Sequence, residues 1–143
     1  MKIVKLIIGV LVSMAVLNIG VEILEFFIVK SVSGKSAEYL SSNQTEYFDI
    51  RNQTWILVLK AMYTFLIASL ASWLGSYITK YFHKPFIIIM IITQSLSFLY
   101  AMLFSEFKDT LSVSFWLLLL ILVLSGVVLG YRLNLRWQKN KYT

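Results

Sequence analysis

Four long, almost uninterrupted apolar stretches occupy most of this chain, and they leave few folds open to it. An α-helix needs about 20 apolar residues to cross about 30 Å of hydrocarbon. The first stretch runs over about 6–29, the second 55–77, the third 86–104 and the fourth 113–131. In lipid, backbone N–H and C=O groups must be satisfied within the segment, so these stretches are expected as helices. Pro85 is placed to open the third, where its missing N–H costs nothing. Only 14% of the residues are charged, against about 25% in a soluble domain. So few charges cannot solvate a globule of 143 residues. The fold class that follows is all-α: an integral membrane four-helix bundle, with 1–143 forming one membrane domain. The first stretch is read as a retained span, because it is longer than a signal-peptide core, carries two glutamates and lacks a clear cleavage site.

With four spans, both termini share a side. That side holds Lys2, Lys5, Lys80, Lys84, Arg132, Arg136, Lys139 and Lys141, and no Asp or Glu. The opposite side mixes Lys30, Lys35, Arg51 and Lys108 with Glu38, Glu46, Asp49, Glu106 and Asp109. The basic excess marks the cytoplasmic face, so both termini are expected inside a plasma (inner) membrane. This placement accounts for the net charge of +6 without a nucleic-acid partner. The expected partner is the lipid bilayer, and the basic tail with Trp137 should rest on anionic lipid. Trp55, Tyr100 and Trp116 fall toward the outer boundary, and Tyr77, Tyr81, Tyr131 and Trp137 toward the inner one, as amphipathic rings prefer. Trp73 lies deeper, as a packing residue.

Three charges fall inside the apolar stretches. Asn18, Glu22 and Glu25 follow at spacings of four and three on the first span, hence on one helical face. Leu11 and Ala15 continue that face, which should point into the bundle. Fifteen Ile, Leu, Val and Phe residues between Ile7 and Val29 offset the two carboxylates, at about 0.3–0.6 kcal/mol each against about 2.5–3.5 kcal/mol per central charge. Counted inward from the outer boundary, Glu22 lies about 10 Å deep, Glu25 about 6 Å and Lys60 about 8 Å. Matching depths on consecutive antiparallel helices predict a Glu22/Glu25–Lys60 cluster, unless Lys60 snorkels to the interface. Two carboxylates against one ammonium leave a negative charge over, which calls for a protonated glutamate or for water. Gln94, with Thr93, Ser95 and Ser97, lies near mid-membrane on the third span. It should face inward, either in an interhelical hydrogen bond or in a polar cavity shared with Asn18 and Glu22.

Small residues recur at four-residue spacing: Gly9 and Ser13; Ala68, Ser72 and Ser76; Ala71 and Gly75; Gly126 and Gly130. They allow close helix approach within the bundle, with homo-oligomerisation or a membrane-protein partner as the alternative use. In the outer segment 30–54, Ser36 can cap a short helix through Leu40. Tyr39, Leu40, Tyr47, Phe48 and Ile50 can lie on the bilayer or cover the bundle mouth, even as a lid over Glu22. Asn43-Gln44-Thr45 and Asn52-Gln53-Thr54 read as glycosylation triplets. Cysteine is absent and His83 is the single histidine, so no metal site is expected. No cofactor motif and no nucleophile–base set appears. Catalytic residues and enzymatic chemistry are therefore not expected.

The plan resembles a group of small bacterial four-span membrane proteins. The likeness lies in the Val21-Glu22-Ile23-Leu24-Glu25 end of the first span, the length of the outer loop, Trp73-Leu74-Gly75-Ser76, Ser114-Phe115-Trp116 and Gly130. That group has no established activity, so the resemblance implies a fold and no mechanism. The glutamate in the first span also resembles that of small multidrug-resistance transporters, where it binds protons and cations. The longer outer loop, the second glutamate and Lys60 depart from that family and argue against cation export. Two functions are weighed: a structural or accessory membrane component, or a small proton-linked transporter using Glu22, with Glu25, Lys60 and Gln94 in support.

Overall fold

The computed structural model describes residues 2–80, 83–104 and 110–141. They form six helices: α1 (Lys2–Ser33), α2 (Ala37–Ser42), α3 (Gln44–Arg51), α4 (Thr54–Thr79), α5 (His83–Phe104) and α6 (Val113–Lys141). The described residues contain no strand. Four of the helices, α1, α4, α5 and α6, are long and apolar enough to cross a membrane.

These helices outrun the apolar stretches that seed them. The α1 helix has 32 residues and α6 has 29, or about 48 and 43 Å at 1.5 Å per residue. Once nucleated by an apolar stretch, a helix propagates through polar residues at little cost. The basic tail is therefore a helical extension of α6. Pro85 is the third residue of α5 rather than its first, still within the turn whose N–H groups lack intrahelical partners. The α1 helix stops at Ser33 because Gly34 takes φ +65, and its N–H reaches back to the Lys30 carbonyl at 3.0 Å.

The α4 helix is the hub of the bundle. It packs along α1 on one side and α6 on the other, while α5 packs mainly on α6. Small residues set these approaches. A Cβ on Gly9 would come within 2.8 Å of the Gly75 carbonyl oxygen. One on Gly75 would overlap the Ser13 hydroxyl, which donates to the Ala71 carbonyl at 2.8 Å. On α6, a Cβ at Gly126 would lie 2.6 Å from the Phe65 carbonyl, and one at Gly130 would overlap the Ser69 carbonyl. The Gly126/Gly130 face of α6 is thus taken by α4. Near the end of the bundle that carries both termini, Val10, Phe86 and Met90 join Ala68, Ala71 and Val127 in one buried core. There Trp73 stacks on Tyr77 with centroids 6.0 Å apart, and Trp137 meets both edge-on.

At the other end, α2 and α3 fold across the bundle mouth. The Ser36 hydroxyl caps α2 by accepting from the Tyr39 N–H at 3.2 Å. Leu40 is buried beneath the cap. The α3 helix brings Arg51 inward, and its side chain is only 7% exposed.

Candidate functional site

The buried seam of α1 runs through Val10, Ser13 and Leu17 against α4, then drifts around the helix to Glu25 and Val29. This drift separates the two glutamates. Glu25 is buried, whereas Glu22, Asn18, Ala15 and Leu11 are exposed. The polar stripe expected to point into the bundle therefore does so only at Glu25. Asn18 and Glu22 lie at the seam between α1 and α5, two helices that barely touch.

Glu25 is the centre of an ion-pair lock. The Lys60 ammonium on α4 donates to Glu25 Oε2. Arg51 Nη1 stands 3.7 Å from Oε1, and the Tyr47 hydroxyl donates to the same oxygen at 3.2 Å. The guanidinium also donates through Nη2 to Thr110 Oγ1 at 3.1 Å and lies 4.7 Å from the Phe48 ring centre. Asn52 Nδ2 donates to the Thr110 carbonyl at 2.8 Å. One carboxylate thus joins α1 and α4 to the outer helix α3, and through Arg51 to the segment before α6. Burial pushes the Tyr47 phenol pKa up, and the negative charge of Glu25 pushes it further. The phenol remains a donor at any ordinary pH.

Of the expected cluster, Glu25 and Lys60 come together, and Lys60 pairs instead of snorkelling. Glu22 makes no ion pair among the described residues. The residue that sequence reasoning missed is Arg51. It had been counted among the outer loop charges, yet it supplies the second cation. Glu22 and Glu25 against Lys60 and Arg51 sum to zero, so the surplus charge inferred from the sequence disappears. The available signal was the surplus itself, which asked for a cation from outside the spans. The outer helices cover Glu25 rather than Glu22, since no residue of 30–54 lines the cavity described next.

That cavity, of about 260 Å³, lies within the half of the bundle nearer α3. Asn18 and Glu22 come from α1, Lys60 and Thr64 from α4, Gln94 and Ser97 from α5. Leu17, Phe98, Trp116 and Leu119 supply apolar wall. Gln94 is 1% exposed, and among the described residues its Nε2 has no hydrogen-bond partner; the buried Thr64 hydroxyl lacks one too. Buried polar groups are nearly always bonded, and both of these residues line the cavity. Tyr63, one residue before Thr64, also buries an unpartnered hydroxyl. Thr93 turns back to the Ile89 carbonyl at 2.8 Å and takes no part. Gly75, Gly126 and Gly130 act outside the site, in the helix crossings. The described residues contain no group of three or more metal-ligating side chains, and His83 has no described side-chain environment.

No known family model, curated protein or solved structure matches this chain.

Proposed function

We propose that this chain is a multi-pass plasma-membrane protein with cytoplasmic termini, acting as a small proton-linked transporter whose working group is Glu22. The eight basic and no acidic residues at the termini side support this orientation. One observation carries the functional reading: two carboxylates three residues apart have opposite surroundings. Glu25 is fully engaged by Lys60, Arg51 and Tyr47. Among the described residues Glu22 has no bonded partner, and it borders a cavity also lined by Gln94 and Thr64, each with an unpartnered polar atom. An intramembrane carboxylate without a partner is costly unless it exchanges protons or binds something. In this reading Glu25 is scaffold and Glu22 is the exchanging group, with Asn18 and Gln94 on the cavity wall. The closely packed half around Gly9, Gly75 and Phe86 closes the cavity toward the cytosol.

A second reading is favoured by the lock itself. A neutral, bonded set joining α1, α3 and α4 suits a structural or accessory component that acts through its packing. Neither reading involves enzymatic chemistry. Proton flux into liposomes, compared between the native protein and Glu22→Gln, separates the two. Transport requires the flux to fall to the protein-free level in the variant. Equal flux in both refutes it and leaves the structural component.

A further inference from the structure

We propose that the Glu22 cavity binds a neutral amphiphile drawn sideways from the bilayer, a molecule with a hydroxyl head and an apolar tail. The proposal rests on the reading of that cavity as the working site. Its route follows from the seam between α1 and α5, where Asn18, Glu22 and Ser97 stay exposed. With four apolar helices set in lipid, this seam opens onto the membrane interior rather than onto water.

The head group follows from the donors and acceptors. The Glu22 carboxylate can only accept. Gln94 Nε2 donates and is orphaned, and the orphaned Thr64 hydroxyl is free to donate. A hydroxyl has one donor and two acceptor positions, which matches one acceptor and two donors in kind and number. Charge makes the same choice. Glu22, Glu25, Lys60 and Arg51 cancel, so an added ammonium or carboxylate would leave one net charge in apolar surroundings. A neutral head adds none.

Shape sets the tail. Leu17, Val21, Phe98, Trp116, Leu119 and Val123 form the apolar walls. The volume of about 260 Å³ is just under the usual range for small-molecule sites. It admits a head and the first few carbons, while the rest of a chain trails through the seam into lipid.

The test uses three photoactivatable probes of identical alkyl chain, ending in a hydroxyl, an ammonium or a carboxylate. Each is added to liposomes holding the full-length protein, and crosslinks are mapped by mass spectrometry. The hydroxyl probe should label residues 17–22 and 94–101 at least about fivefold above the other two, as expected for about 1 kcal/mol of matched hydrogen bonding. The apolar groove between α4 and α6, lined by Val58, Phe65 and Phe115, is the internal control and should take all three alike. Gln94→Leu should lower hydroxyl labelling by about five- to tenfold. Equal or stronger labelling by the ammonium or carboxylate probe overturns the proposal, and so does labelling no richer than in the groove. The selectivity is read in the native protein, so a variant that fails to fold does not remove the test. Proton flux measured in the same vesicles separates the two claims. Glu22-dependent flux without hydroxyl preference refutes the ligand class and keeps the transporter. Hydroxyl preference without such flux refutes the transporter and keeps the site.

Discussion

Lys60→Met is the sharpest probe of the lock, because it deletes one cation while keeping an unbranched side chain only one atom shorter. Removing one partner of a buried ion pair costs about 3–5 kcal/mol when the other charge is stranded. Glu25 would not be wholly stranded. Arg51 remains at 3.7 Å, a separation worth about 4 kcal/mol at an effective dielectric constant of 20, and Tyr47 still donates. About half of the compensation survives, so the expected loss is about 2 kcal/mol, or about 30-fold in the unfolding equilibrium. Reversible unfolding in bicelles measures it. The decisive comparison is the cycle with Glu25→Gln. Removing both charges should cost less than the sum of the single changes by about 1.5 kcal/mol, because the Lys60–Glu25 attraction can be lost only once. Additive effects, or a loss below about 0.5 kcal/mol for Lys60→Met, would show that the ammonium reaches the interface instead and that the lock does not hold α1 to α4.

Other outcomes follow from the same geometry. Glu22→Gln should change stability by less than about 1 kcal/mol, since no partner is lost, while abolishing proton flux. Gly130→Ala should destabilise by about 1–3 kcal/mol in the same unfolding assay, because its methyl group would press on the Ser69 carbonyl across the α4–α6 contact. The chain has no native cysteine, so single cysteines carrying a nitroxide report access: the label at Ser97→Cys should be broadened by oxygen dissolved in the membrane, and one at Ser13→Cys, fully buried, should not. The folded-state pKa of Tyr47 lies above its unfolded value near 10. Its contribution is whole below about pH 10 and is lost as pH rises further. Tyr47→Phe should remove that part of the alkaline loss, read as the difference between the two pH–stability curves.

Most of the helical scaffold was legible because four apolar stretches of this length leave few local choices. Where solvent cannot bond the backbone, twenty apolar residues leave helix as the only local solution, and hydropathy alone locates the spans. Matching depth placed Lys60 level with Glu25 for the same reason, since rise per residue is fixed. Small residues at four-residue spacing marked Gly75, Gly126 and Gly130 as contact points, but not that α4 is the surface the glycines of α6 meet. Helical spacing also put Glu22 and Glu25 on one face, and here the one-dimensional argument ended. A helix that crosses its neighbour at an angle presents a seam that drifts around its axis, so two residues on one face can have opposite fates. Only the packing of α1 on α4 decided that Glu25 is enclosed and Glu22 faces the cavity. Likewise, a loop arginine carries no local sign that it will turn inward. The pairing of Arg51 with Glu25 is a contact across 26 residues of chain, set by how α3 folds over the bundle mouth. Composition and period determined which helices are long and apolar enough to cross a membrane and where they lie. Tertiary structure decided which charge holds the bundle together and which one borders open space.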